Sequence, residues 1–74
     1  MPPLPILGAD ECIKVLRQFG YEVARQRGSH VRLTCSGRPP VTVPLHKSLK
    51  RGTLRAILRE AEITVDEFVA ALGR

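Results

Sequence analysis

The spacing of apolar residues changes along the chain from a helical period to strict alternation and then back to a helical period. Residues 9–19 predict a first helix, because their apolar side chains recur at helical spacing. These are Cys12, Ile13, Leu16 and Phe19. Gly8 is the expected N-cap, and Gly20 is the expected C-terminal stop. The prolines at positions 2, 3 and 5 predict that residues 1–7 are extended.

Three short segments follow in which apolar and polar residues alternate or β-branched residues predominate. They predict strands over Tyr21–Gln26, His30–Cys35 and Val41–Val43, joined by a turn at residues 27–29 and a loop at residues 36–40. Connections this short favour an antiparallel meander.

Strand alternation assigns each side chain to a sheet face. In the first strand we expect Tyr21, Val23 and Arg25 to share one face. In the second strand the apolar residues Val31 and Leu33 define a buried face. The opposite face then carries His30, Arg32 and Thr34.

Helical spacing returns in residues 51–61, whose apolar stripe is Leu54, Ile57, Leu58 and Ala61. A third, short helix is predicted to begin at a capping box formed by Thr64 and Glu67 and to end at Gly73. The chain is therefore expected to be a single α+β domain over residues 1–74, with element order α-β-β-β-α followed by a short C-terminal helix.

Charge is unevenly distributed along the 74 residues, which carry a formal net charge of +5. The segment from Arg25 to Arg59 holds nine Lys and Arg residues and no Asp or Glu. Charge of one sign across nearly half of the chain indicates a polyanionic partner. A basic surface that only aids solubility is the alternative.

The cysteine content and the lengths of the apolar segments argue against a zinc or disulfide scaffold, a membrane protein and a secreted protein. The two cysteines, Cys12 and Cys35, form neither a CxxC zinc motif nor a disulfide scaffold, and each falls on an apolar face. No segment reaches the ~20 apolar residues of a membrane helix, and the proline-broken N-terminus does not have the pattern of a signal peptide. We therefore expect a cytoplasmic protein that has no metal site and does not contact a membrane.

Three motifs in order resemble the HicA family of toxins. Gln26–His30 (QRGSH) resembles the family's turn, Val41–His46 (VTVPLH) its strand, and Gly52–Leu58 (GTLRAIL) its helix. The Leu4–Pro5 pair before the first helix is also typical of the family. The resemblance covers nearly the whole chain.

The resemblance implies a fold like that of double-stranded-RNA-binding domains and the activity of an mRNA interferase, an endoribonuclease that needs no cofactor. It also implies that His30 in the GSH turn is catalytic. The implied partners are mRNA and an acidic antitoxin of the HicB type that covers the active site. Operator DNA would be contacted only through that antitoxin.

The residues around His30 can supply this chemistry. A ribonuclease that uses the ribose 2′-OH as nucleophile needs a proton acceptor, a proton donor and positive charge at the phosphate. Histidine suits proton transfer, and arginine suits the phosphate. Secondary candidates for catalysis are Ser29 and His46, although a His46 that only caps a turn is the favoured interpretation. Candidate RNA-binding residues are Arg25, Arg27, Arg32, Lys50, Arg51 and Arg55, and Gly28 is expected to form the turn.

Two alternatives remain open at this point. The chain could be an RNA-binding module without catalysis, or its basic face could serve mainly as a protein interface. The second alternative is compatible with the nuclease, because an inhibitor gains most by covering the active face.

Overall fold

The computed structural model describes residues 4–73. Residues 1–3, which belong to the predicted extended N-terminus, and Arg74 at the C-terminus lie outside it. The order of elements is helix, three strands and two helices, as predicted. The elements are α1 (Ala9–Gln18), β1 (Glu22–Arg27), β2 (His30–Cys35), β3 (Arg38–Pro44), α2 (Arg51–Ala61) and α3 (Val65–Leu72). No helix in this part of the chain is long and apolar enough to cross a membrane.

The three strands form one antiparallel sheet in the order β1-β2-β3, which confirms the predicted meander. One face of β2 and β3 is buried, because Val31, Leu33, Val41 and Val43 point beneath the helices. Their main partners in the core are fully buried side chains of the helices. These are Cys12 and Leu16 of α1, Leu54 and Leu58 of α2, and Phe68 of α3.

Strand β1 differs from this pattern, since all six of its residues are exposed. A bulge at Ala24 interrupts its pairing with β2: Val23 lies opposite Leu33, whereas Arg25 lies opposite Arg32. The prediction that Tyr21, Val23 and Arg25 share one face is therefore wrong. The extra residue moves Arg25 to the face opposite Val23.

Element boundaries differ from the predictions by one to three residues. Strand β1 begins after Tyr21 and includes Arg27, which was expected in the turn, and α1 ends one residue before Phe19. Strand β3 begins at Arg38 rather than Val41. Prolines 39 and 40 fit there because β3 is an edge strand and its pairing with β2 is irregular between Leu33 and Cys35. Neither proline has a partner in the β2–β3 register, so the missing N–H groups remove no regular ladder bond.

Arg38 has a structural role that its place in the basic segment did not suggest. Its Nη1 donates to the carbonyl oxygens of Ala61 at 2.9 Å and Glu62 at 3.0 Å, at the end of α2. Its guanidinium also lies 5.7 Å from the centre of the Phe19 ring. The cation thus satisfies the last carbonyls of the helix and ties β3 to α1.

Helix α3 begins with the predicted capping box. Thr64 Oγ1 accepts a hydrogen bond from Glu67 N at 3.0 Å, and Glu67 Oε1 accepts one from Thr64 N at 2.9 Å. The hydrogen bond from Thr64 N to the carboxylate favours its ionised form and lowers the pKa of Glu67, and the Thr64 side chain adds to this effect.

The segment before α1 packs against the connection between β3 and α2. Leu4 and Leu7 are buried, and the carbonyl of Leu7 accepts a hydrogen bond from Leu49 N at 2.8 Å. A Cβ at Gly8 would lie 2.6 Å from the carbonyl oxygen of Lys47. Glycine at the N-cap of α1 therefore permits a close approach that a serine cap would prevent.

The two thiols are expected to react differently with an alkylating or disulfide reagent. Burial raises the pKa of Cys12 to about 12, whereas Cys35 is only partly buried. Because the thiolate is the reactive species, Cys35 should be modified in the folded protein and Cys12 only after unfolding. Mass spectrometry of iodoacetamide-treated protein, with and without guanidinium chloride, measures this. Equal labelling of both thiols in the folded state would contradict the burial of Cys12.

Candidate functional site

A two-residue turn positions the candidate catalytic histidine. Arg27 and His30 pair across the hairpin, with Gly28 and Ser29 between them. Gly28 has φ +53°, and Ser29 does not have a positive φ. A positive φ at the first central residue alone is typical of a type II′ turn, which fits the twist of a hairpin. The turn thereby fixes His30 as the first residue of β2.

Strand register then brings a set of basic side chains together on the sheet face away from the helices. Arg27 lies opposite His30, Arg25 lies opposite Arg32, and Arg32 lies opposite Thr42 of β3. Directly paired residues project their side chains on the same side of a sheet. The result is a shallow depression of about 180 Å³, called here the outer-face groove. It is lined by Arg25, Arg27, His30, Arg32 and Thr42.

The groove is electropositive and open to solvent. Three of its five lining residues are arginines, and no Asp or Glu lines it. All five side chains are exposed. Guanidinium groups present planar, paired N–H donors that match the oxygens of a phosphate. The arrangement can bind an anion and hold it beside an imidazole.

Sequence reasoning did not identify Thr42 as a site residue. The alternation of β3 could have found it, because Val41 and Val43 are buried and Thr42 must therefore face the other way. Thr42 adds a hydroxyl, which can donate or accept a hydrogen bond, to the third side of the groove.

Ser29 and His46 lie outside the groove. The carbonyl of Ser29 accepts a hydrogen bond from Leu45 N at 2.7 Å, so this turn residue ties the hairpin to the end of β3 through its backbone. His46 lines a different hollow, of about 360 Å³, at the N-terminus of α1. Its carbonyl accepts a hydrogen bond from Ala9 N at 3.0 Å. The two histidines thus face separate hollows.

The basic residues of α2 form a second group, also separate from the groove. Lys50 is the N-cap of α2, and Arg51 and Arg55 lie in its first two turns; all three are exposed. Arg51 Nε donates to the carbonyl of Leu4 at 3.0 Å, so this arginine also anchors the N-terminal segment.

Within residues 4–73, no three or more His, Cys, Asp or Glu side chains are grouped so that they could hold a metal ion. The groove itself offers one imidazole, one hydroxyl and three guanidiniums. Proton transfer and anion binding are the chemistry that these groups supply.

Comparison with known families agrees with the fold and with the motifs. The family model described as the HicA toxin of bacterial toxin–antitoxin systems matches residues 9–63, which is more than half of the chain. The chain belongs to the HicA toxin family. It is therefore a toxin of a toxin–antitoxin system, and an antitoxin is its partner. No curated protein sequence matches the chain.

Alanine substitutions at two glycines of this HicA-family toxin, one of them in the turn that positions His30, are expected to change its stability in opposite directions. Neither Gly28 nor Gly52 has any atom within 4 Å of an added Cβ, but only Gly28 has a positive φ. Gly28→Ala should lower the free energy of unfolding by about 1–2 kcal/mol through backbone strain. Gly52→Ala, in α2, should raise it by about 0.4–1 kcal/mol.

Urea unfolding of both variants measures these changes. The comparison isolates the backbone, because the same methyl group enters open space in each case. Equal effects of the two substitutions would show that Gly28 is not required by its conformation.

Proposed function

We propose that this toxin is a metal-independent endoribonuclease, an mRNA interferase, in which His30 transfers the proton that starts cleavage. The observation that carries the proposal is the position of His30 among Arg25, Arg27 and Arg32 in the outer-face groove. The family match supports it, because it makes the chain a toxin. A growth-arresting activity directed at RNA is consistent with a groove that can bind phosphate.

The proposed reaction uses the nucleophile that RNA itself carries. The imidazole of His30 accepts the proton of a ribose 2′-OH, and the 2′-oxygen forms a bond to the adjacent phosphorus. The bond from phosphorus to the 5′-oxygen breaks, and that oxygen takes a proton from solvent, to which the groove is open. His30 returns the proton it accepted to solvent and is ready for the next substrate. The products are a 2′,3′-cyclic phosphate and a 5′-OH, with no oxidant, metal or water consumed in this step.

The arginines stabilise the charge that develops on the phosphate in the transition state. Arg27 lies opposite His30 and Arg32 is two residues along the same strand, so both flank the imidazole. Thr42 contacts the same anion from β3. A groove of about 180 Å³ holds little more than one ribose-phosphate unit, so neighbouring nucleotides extend across the surface.

Lys50, Arg51 and Arg55 are proposed to contact phosphates away from the cleavage position. Lys50 and Arg55 are the stronger candidates, since Arg51 is already bonded to Leu4. Ser29 orients the turn beside the substrate, and His46 has a supporting role at most, because it faces another hollow.

The antitoxin is proposed to be an acidic protein of the HicB type that covers the outer-face groove. Its negative charge would complement the three arginines and exclude RNA. Contact with operator DNA would then be made by the antitoxin, and by this toxin only indirectly.

Alanine substitutions of the two histidines test whether His30 is catalytic and whether His46 is only a loop residue. His30→Ala should abolish cleavage of a labelled RNA in the presence of EDTA, because the proton acceptor is lost. His46→Ala, the matched control, should keep most of the activity. Both residues are exposed, so neither variant should lose much stability. Denaturing gels and end-group analysis for the cyclic phosphate provide the readout.

Intact RNA with the wild-type toxin, or undiminished cleavage by His30→Ala, would count against the nuclease. If the wild-type toxin binds RNA tightly without cutting it, a non-catalytic RNA-binding module is the better description. Loss of activity in both histidine variants would make His46 a second catalytic group.

Binding of RNA should depend on the groove arginines and on salt. Arg27→Gln and Arg32→Gln should each weaken binding to single-stranded RNA and reduce the slope of log K against log salt by about 0.7, the value for one lost phosphate contact. Arg59→Gln is the control, because Arg59 is exposed in the last turn of α2 and does not line the groove. Fluorescence anisotropy at several salt concentrations measures the slopes. Equal losses at all three positions would indicate only a non-specific effect of net charge.

A further inference from the structure

The sheet has two edges, and prolines block the pairing of a further strand at only one of them. Strand β3 carries Pro39, Pro40 and Pro44, which have no N–H to offer to another strand. Strand β1 contains no proline, and every one of its residues is exposed. An exposed edge with free backbone groups is a template for a further strand.

The side chains of β1 present different chemistry on the two sheet faces. On the outer face, Arg25 and Arg27 lie at alternate positions beside the groove. On the inner face, Val23 is 51% exposed, because the helices do not reach it. Exposed aliphatic side chains are uncommon here: Ile6, at 62%, is the other large one in residues 4–73.

Backbone geometry identifies the residue that would accept a new strand. The type II′ turn makes Arg27 and His30 a hydrogen-bonded pair. Hydrogen-bonded and non-hydrogen-bonded pairs alternate along an antiparallel ladder. Gln26 and Val31 therefore form a pair without ladder hydrogen bonds. The N–H and C=O of Gln26 therefore point away from β2 and toward the open edge. The bulge at Ala24 limits regular pairing to the end of β1 nearest the groove.

We propose that the antitoxin binds by adding an extended strand to the edge of β1 at residues 25–27. The added strand carries carboxylates at alternate positions that meet Arg25 and Arg27. Beyond the paired segment, past the bulge, an apolar side chain of the antitoxin covers Val23. The backbone of the added strand bonds to the N–H and C=O of Gln26.

Charge distinguishes this occupant from a second copy of the toxin. Two β1 strands paired edge to edge would bring Arg25 and Arg27 of one copy against the same residues of the other, and like charges across a strand pair are destabilising. An acidic strand gains from the same geometry. Recognition through backbone hydrogen bonds with alternate side chains for specificity is a common mode of peptide binding.

The position of the added strand explains how it would inhibit. Arg25 and Arg27 form one wall of the outer-face groove, so carboxylates bound there occupy the charge that a phosphate needs. This consequence rests on the proposed nuclease function, whereas the binding mode itself does not.

A proline at position 26 tests the backbone bond. Gln26→Pro removes the N–H that points to the open edge and leaves the β1–β2 ladder intact, since edge strands tolerate proline where the N–H faces solvent. Gln26→Ala keeps the N–H and is the matched control. Affinity for the purified full-length antitoxin encoded beside this toxin is measured by titration calorimetry. Gln26→Pro should weaken binding at least tenfold, and Gln26→Ala should change it less than twofold.

Amide hydrogen exchange of the wild-type complex gives an independent measurement that does not depend on the fold of a variant. The N–H of Gln26 should exchange rapidly in the free toxin and become protected when the antitoxin binds. A Gln26 amide that stays unprotected in the complex, or a folded Gln26→Pro that binds as tightly as wild type, would overturn the proposal.

Cleavage assays separate this proposal from the nuclease. Gln26 does not line the groove, so Gln26→Pro should cut RNA as the wild type does and resist inhibition by the antitoxin. If the wild-type toxin cuts no RNA while Gln26 is protected in the complex, strand addition stands and the nuclease fails. If RNA is cut and Gln26 is unprotected, the nuclease stands and strand addition fails.

Discussion

Burial of one face of β2 is the constraint on which the rest of the structure depends. Val31 and Leu33 lie beneath the helices, and the alternation of a strand then forces His30 and Arg32 into solvent on the opposite face. A shift of one residue in register would bury the imidazole and a guanidinium and expose two aliphatic side chains, at a large cost in free energy. The core therefore determines which side chains the groove contains, although none of the core residues touches it.

The fold was predictable because each element is short and has a clear period. The helices at residues 9–18, 51–61 and 65–72, and the meander between them, follow from spacing and turn residues alone. The bulge at Ala24 was not predictable, since nothing in the local sequence distinguishes an extra strand residue from a regular one. That bulge is what brings Arg25 to the groove. The sequence suggested Arg25 as a site residue for its charge, while the alternation assigned it to the wrong face.

Tertiary contacts, which the sequence does not reveal, divide the basic residues into different roles. Arg38 binds the C-terminal carbonyls of α2, and Arg51 binds the carbonyl of Leu4, so both serve the fold. Arg25, Arg27 and Arg32 remain on an exposed sheet face. The histidines divide in the same way: Pro44 lies opposite His30, yet His46, two residues further on, turns toward the N-terminus of α1. Nearness in sequence to a site residue is therefore a poor guide to membership of the site.

The exposure of β1 connects stability with regulation. In a 74-residue chain the core is thin, and a strand that buries none of its side chains contributes little to it. Such a strand is held by its ladder with β2 and remains open on its outer edge and on both faces. Any partner that binds the folded state there also stabilises the fold by mass action. An antitoxin on β1 would thus cover the groove arginines and supply the packing that β1 lacks, so that inhibition and stabilisation arise from the same contact.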